Sequence, residues 1–280
     1  MPLAAERLNN EPGERYRRAF ARLRAAGEGA FCPFLVIGDP DIAASERLIE
    51  AAIAGGADML ELGIPFSDPV ADGPTIQAAA ERALAAGATV QACLDLIGRV
   101  RARHPELPIG VLTYANLVVS RGLGAFYRAC AEAGLDSVLV ADVPALEAEP
   151  FAAAARDHGI APVLIAAPNT PGPALERIAR LSAGYVYCVA RGGVTGAGEQ
   201  VRLDHARLFD RLIALNAPPP MLGFGISTPE HVRTALAEGA AGAISGSAVV
   251  SAAATHLNDP ATAGGAVEAF VRGMKAATAA

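Results

Sequence analysis

With 280 residues, 52% of them apolar and 19% charged, the chain is too hydrophobic for a disordered polymer, and its net charge of −6 argues against a nucleic-acid or anionic-membrane surface. The length suits one large domain, since an α/β barrel takes about 250 residues as a single unit. Cys32, Cys93, Cys130 and Cys188 form no Cys-x-x-Cys pair, and the five histidines show no ligand spacing. No metal site is therefore expected, and the thiols read as buried groups in a reducing, cytoplasmic compartment.

Residues 1–14 carry acidic side chains and no apolar core, unlike a secretion signal, and are expected to form a flexible N-terminus. Arg15–Ala26 reads as an extra helix. Two kinds of segment then alternate. Apolar runs predict buried strands at Phe31–Ile37, Met59–Leu62, Ile109–Leu112, Ser137–Val140, Pro162–Ile165, Tyr185–Val189, Met221–Phe224 and Ala241–Ser245. Between them, helical spacing marks Ser45–Ala54, Thr75–Ala86, Thr89–Arg103, Leu123–Ala133, Ala148–His158, Pro173–Leu181, Leu203–Leu215 and Pro229–Glu238, and Val267–Ala277 closes the chain. Thr89 is a capping residue, Pro229 sits at a first helical position, and glycines such as Gly134, Gly159 and Gly239 follow helix ends. Gly239–Asn258 lacks any charged residue, but it is built of Ala, Gly and Ser, so a buried strand followed by a helix is expected rather than a membrane span.

These alternations, without a long linker, predict an α/β fold: a closed (β/α)8 TIM barrel with an extra N-terminal helix, in a single domain over residues 1–280. An open doubly wound sheet is the competitor. It would carry Gly-x-Gly-x-x-Gly after its first strand, whereas this strand ends in Gly38-Asp39-Pro40. Pro218-Pro219-Pro220 runs straight into a strand and reads as a tight turn, not a linker.

In such a barrel the chemistry sits on the loops after the strands. Glu61 ends an apolar run, and strand alternation puts it on the face of Met59, opposite Leu60 and Leu62. Pointing inward among apolar neighbours, its pKa would rise toward neutrality and suit proton exchange; the alternative is a Glu paired with a buried Arg or Lys. Asp72, on the loop that follows, is expected to stay ionised. Gly192-Gly193-Val194-Thr195-Gly196, Gly223-Phe224-Gly225-Ile226-Ser227 and Gly246-Ser247 are late glycine-rich loops that open helices. They suit a phosphate held by backbone amides, or are ordinary turns. Tyr114, Tyr185 and Tyr187, with Phe34 and Phe224, could wall a flat ring or simply pack the core. The stretch 190–198, almost uncharged, reads as a closing lid or a loop without function.

With these residues in place the chain resembles the family of tryptophan synthase alpha chains. Phe31-Cys32-Pro33-Phe34, Gly38-Asp39-Pro40, the run from Glu61 to Gln77, Tyr114-Ala115-Asn116, Ala141-Asp142-Val143-Pro144, Gly193-Val194-Thr195-Gly196, Gly223-Phe224-Gly225-Ile226 and Ser245-Gly246-Ser247 look like its motifs, in its order, from about Tyr16 to Lys275. The resemblance implies retro-aldol cleavage of indole-3-glycerol phosphate to indole and glyceraldehyde 3-phosphate. It implies Glu61 as the acid–base carboxylate and Asp72 as the holder of the indole N–H. It places Phe34, Leu112 and Tyr114 near the indole, Tyr187 beside the catalytic Glu, Gly196, Phe224, Gly225, Gly246 and Ser247 at the phosphate, and Thr195 on a lid closing onto Asp72. It implies no cofactor in this chain, pyridoxal phosphate in a beta-chain partner, and an alpha2beta2 heterotetramer in which Asp68 and Arg191 lie near that partner and indole passes through a tunnel. Ala190, Gly192 and Cys188 depart from the family's usual residues around the lid. A stand-alone lyase releasing free indole is the alternative. A silent regulatory barrel would have no need of Glu61 and Asp72, and related phosphate-binding barrel enzymes usually place a lysine or a second aspartate at strand ends, whereas no lysine precedes Lys275 here.

Overall fold

The computed structural model describes residues 11–189, 205–257 and 259–279. The chain opens with α1 (Glu14–Ala26), β1 (Ala30–Val36), α2 (Ile42–Ala54), β2 (Leu60–Gly63), α3 (Pro74–Ala85) and α4 (Val90–Arg103). Then come β3 (Ile109–Thr113), α5 (Ala115–Val119), α6 (Leu123–Glu132), β4 (Ser137–Val140), α7 (Glu149–Asp157), β5 (Ala161–Val163) and β6 (Ile165–Ala166). They are followed by α8 (Gly172–Leu181), β7 (Val186–Val189), α9 (Ala206–Ala214), β8 (Pro220–Gly223), α10 (Pro229–Ala237), β9 (Gly242–Ser245), α11 (Ser247–Ala254) and α12 (Pro260–Ala276).

All pairings among the named strands are parallel, in the order β5-β4-β3-β2-β1-β9-β8-β7-β6. The two end strands are halves of one chain run interrupted at Leu164. Its first half pairs with β4 and its second half with β7, so one run changes partner and closes the ring. The Leu164 carbonyl accepts the Tyr187 amide at 3.0 Å, which carries the ladder across the break. Counted this way the barrel is eightfold, as predicted, and the open sheet is excluded.

Strand alternation builds two cores. On β1, Phe31 and Leu35 face the helices, whereas Cys32, Phe34 and Val36 face the barrel axis. On β7, Val186 and Cys188 face outward and Tyr187 and Val189 inward, as does Tyr185 just before it. Tyr185 and Tyr187, two positions apart, thus share the inner face. The same rule places Leu60 and Leu62 outside and Met59 inside, which commits Glu61 to the interior.

Helix α1 closes the amino-terminal mouth. Its Tyr16 is fully buried, shares a 2.8 Å hydrogen bond with Ser137 Oγ at the start of β4, and packs on Tyr185 with centroids 5.3 Å apart. Beside it Asp136 accepts from Arg15 at 2.8 Å, from Arg101 at 2.6 Å and from the Ile109 amide at 2.8 Å. Helix α2 begins at Ile42 rather than the predicted Ser45, because Asp41 caps the Ala44 amide. Helix α12 begins at Pro260 rather than Val267, because Asp259 caps the Ala261 and Thr262 amides; at the end of α2, Gly55 lacks a side chain where α12 comes close. The short α5, directly after Tyr114, has no signal in the periodicity.

Because Asp136 compensates two guanidinium groups in a site with little water, Asp136→Ala should lower the free energy of urea unfolding by about 3–5 kcal/mol.

Candidate active site

Glu61 lies on β2 in register with Phe34 of β1 and Gly110 of β3, and is 1% exposed. Its Oε1 accepts from the Tyr185 hydroxyl at 2.8 Å, and Oε2 has no hydrogen-bond partner among the described residues. No Arg or Lys pairs with it among the described residues, so the ion-pair alternative falls away. Burial pushes its pKa up to about 7; the Tyr185 hydrogen bond pulls down and the charge of Asp72 adds to the rise. A carboxyl poised near neutrality gives and takes protons with little loss either way. Tyr185 appeared in the sequence only as an inward aromatic, and its hydrogen bond to Glu61 comes from packing across the barrel.

Asp72 follows β2 on the loop that leads into α3. The Tyr114 hydroxyl donates to its Oδ2 at 2.7 Å, and the Ala71 amide donates to that same hydroxyl at 3.3 Å. The Tyr114 ring stacks on Phe66 with centroids 5.2 Å apart. Burial raises the Asp72 pKa and the Tyr114 hydrogen bond opposes the rise. Phe34 and Leu112 are buried on the inner face nearby. Tyr187 is also inward, but its hydroxyl lies over Gly223, where any Cβ would overlap it, and its ring meets Phe224 edge-on at 5.8 Å.

The loops after β8 and β9 adjoin these side chains, Phe224 against Tyr187 and Gly246 against Phe34. Phe224 and Gly225 take φ of 63° and 81°, and a bulky residue in this region costs about 1–3 kcal/mol. Ser245 offsets part of that cost by donating to the Ile226 carbonyl at 2.6 Å, which ties the strained loop to β9. Helix α11 starts behind Gly246 with Ser247 first, and no side chain caps it. Its first-turn amides are thus free to meet an anion, and Gly246 lies against the Phe34 ring. Asp68 is exposed on the loop after β2 and accepts from Ser67 Oγ at 2.6 Å. Arg191, Thr195 and Gly196, with the rest of the expected lid, lie outside the described residues. All four cysteines are buried, and burial pushes each thiol up, which makes them poor nucleophiles. Among the described residues no cluster of His, Cys, Asp and Glu could hold a metal ion, and no single helix is long and apolar enough to cross a membrane.

The family model of the tryptophan synthase alpha chain matches residues 20–279. The chain belongs to the tryptophan synthase alpha chain family. It is 52% identical to the alpha chain of Shewanella oneidensis over 264 residues, covering 94% of this chain and 95% of that one. It is likewise 52% identical to an Escherichia coli alpha chain over 265 residues, covering 95% and 99%. Among solved structures, tryptophan synthase from Mycobacterium tuberculosis superposes with a TM-score of 0.85 at 30% identity, covering 95% of this chain and 98% of that one. A tryptophan synthase complex from Pyrococcus furiosus gives 0.77 at 33% identity, covering 89% and 98%. Family membership therefore rests on nearly the whole barrel, and not on the carboxylate loop alone.

Two outcomes are expected from this geometry. Tyr185→Phe removes a hydrogen bond that favours the carboxylate, so the Glu61 pKa, read by carbon-13 NMR of labelled glutamate, should move above its present value. The second concerns stability. Glu61 has a folded pKa raised from 4.5 to about 7, so its contribution is fully present below about pH 4.5 and is lost as pH rises through 7. Glu61→Gln should therefore be more stable than the parent at about pH 8, by up to about 3 kcal/mol, with the gap closing near pH 4.5 in chemical denaturation.

Proposed function

We propose that this chain cleaves indole-3-glycerol phosphate to indole and glyceraldehyde 3-phosphate, and that Glu61 moves the proton. The observation that carries the reading is the buried Glu61, with its pKa near neutrality and one oxygen unpartnered among the described residues, within a cluster of inward-facing aromatics whose Phe34 lies against Gly246 at the start of α11. In this reading protonated Glu61 delivers its proton to the ring carbon that bears the glycerol chain. The ring nitrogen becomes positive, and Asp72, held by Tyr114, faces that charge. The Glu61 carboxylate then takes the hydroxyl proton from the adjacent glycerol carbon. The carbon–carbon bond breaks, its electron pair returns to the ring, and Glu61 ends as it began, protonated. The ring is the electron sink, so the step needs no cofactor in this chain; pyridoxal phosphate belongs to the beta chain.

The anchor for the phosphate is the pair of loops at Phe224–Gly225 and Gly246–Ser247, with Gly196 as a further expected contact; Thr195 is the expected lid residue for Asp72. Phe34, Leu112, Tyr114 and Tyr187 wall the ring. The partner in this reading is a tryptophan synthase beta chain in an alpha2beta2 assembly, with indole handed over directly. Val70, Val119 and Leu146 support the docking side: each is 58–69% exposed, and they lie on the segments after β2, β3 and β4, on the same rim as Asp68. Arg191 is the expected second contact. The proposed compartment is the cytoplasm, in keeping with four unpaired thiols.

Glu61→Gln should slow indole release by about 10²–10⁴-fold with the protein still folded, and a rate within about twofold of the parent would reject Glu61 as the proton carrier. Replacing Gly225 by Val should raise the KM for indole-3-glycerol phosphate more than it lowers kcat, because a side chain intrudes where backbone amides approach the phosphate. Indole release that climbs on adding a beta chain supports the two-component reading; full activity without it favours a stand-alone lyase.

A further inference from the structure

The loop between β2 and α3 is long, carries Pro65 and Pro69, and is held by few backbone hydrogen bonds, among them Val70 N–H to Asp68 and Asp72 N–H to Pro69 at 3.0 Å. Such a loop leaves the direction of the Asp72 side chain to whatever fixes its backbone. One side chain does so from outside the loop. Gln77, on the first turn of α3, donates through Nε2 to the Asp72 carbonyl at 2.7 Å. With the Asp72 N–H committed to Pro69 and its C=O committed to Gln77, both peptide planes flanking Asp72 are set. Only the side-chain torsions remain, and the Tyr114 hydroxyl sets those at 2.7 Å.

We infer that Gln77 is a positioning residue that holds the Asp72 carboxylate in reach of Tyr114 and turned toward the space beside Glu61. The inference rests on the proposed role of Asp72 and deepens it. Helix α3 does not depend on Gln77 for its place. Arg82, further along α3, forms a two-point pair with Asp39 on the loop after β1, at 2.7 and 2.8 Å. Gly73, the residue before α3, offers no side-chain cap, and Pro74 starts the helix by itself. Losing the Gln77 amide should therefore free Asp72 locally and leave the helix standing. A freed Asp72 loses the hydrogen bond that opposes the rise in its pKa, while it still faces Glu61 across the pocket.

The test uses the full chain with its beta chain and indole-3-glycerol phosphate, with kcat and KM for indole release measured from about pH 5 to 9. Gln77→Met keeps the volume and removes the donor. It should lower kcat about tenfold or more while KM stays within about twofold, and it should move the acid limb of the kcat profile upward by roughly half a pH unit or more. Tyr114→Phe should move the limb the same way. If Gln77 acts through that hydrogen bond, Gln77→Met should displace the limb no further in the Tyr114→Phe background. A parental kcat and acid limb in Gln77→Met, or a fully additive double variant, overturns the inference. Should Gln77→Met not fold, Gln77→Glu, which lacks a donor at about pH 8, must show the same kcat loss there; a parental kcat overturns the inference equally. Asp72→Asn separates the two levels. If it keeps parental activity, the role of Asp72 fails and the inference with it. If it is inactive while Gln77→Met is parental, only the role of Gln77 fails.

Discussion

One carboxyl group sets the terms for the rest of this barrel. Glu61 is surrounded by protein on every side, and removing a carboxylate from water is among the more expensive things a fold can do. A fold that wanted only stability would have placed an apolar residue there or supplied a cation. Instead, among the described residues, the interior offers a single neutral donor, Tyr185, and leaves the second oxygen without a partner. Neither protonation state then dominates, and the group is left able to exchange a proton with whatever enters the pocket. The remaining features of the interior follow from holding that balance. Tyr16 fills the mouth below and keeps solvent from solvating the ionised form, and the inner thiol of Cys32 brings no competing charge, because burial keeps it protonated.

The two carboxylates of the pocket are treated differently because they sit on different kinds of structure. Glu61 is fixed by a strand, whose direction is dictated by the ladders on either side. Asp72 is on a loop, so its direction must be supplied by side chains: a phenol on the carboxylate and an amide on the carbonyl. The phenol is held in turn by its ring, stacked on Phe66 of the same loop. Loop and β3 therefore define each other, which lets a flexible segment carry a well-placed charge.

The anion-binding side works by a third device. Strain at Phe224 is tolerated because neighbouring elements over-determine the loop: Ser245 holds the Ile226 carbonyl, and the Phe224 ring is pinned edge-on by Tyr187. Tyr187 can lie there only because residue 223 has no side chain. Uncapped amides at the start of α11 lie beside this loop, so that side of the mouth presents N–H groups and a helix dipole. This accords with a chain whose net charge is negative and whose substrate, in the proposed reading, is anionic.

Much of this was legible in the amino-acid order. Period-two alternation within parallel, doubly covered strands commits Glu61, Phe34, Tyr185 and Tyr187 to the interior whatever their partners, and the run of apolar strands and amphipathic helices predicts a barrel. The glycines of the late loops mark where a backbone must approach closely. Other features had no local signal. The break at Leu164 depends on which strands flank the run at each end, and the first turns of α12 were hidden by Gly264 and Gly265, which interrupt the apolar spacing. The hydrogen bond from Tyr185 to Glu61 joins residues 124 positions apart, and that from Tyr114 to Asp72 joins residues 42 apart. Sequence periodicity determined which face each residue occupies, because facing is a property of one strand. Which groups meet across the barrel, and hence where the Glu61 proton titrates, was decided only by closure of the ring, because a pKa depends on everything within a few ångströms regardless of its place in the chain.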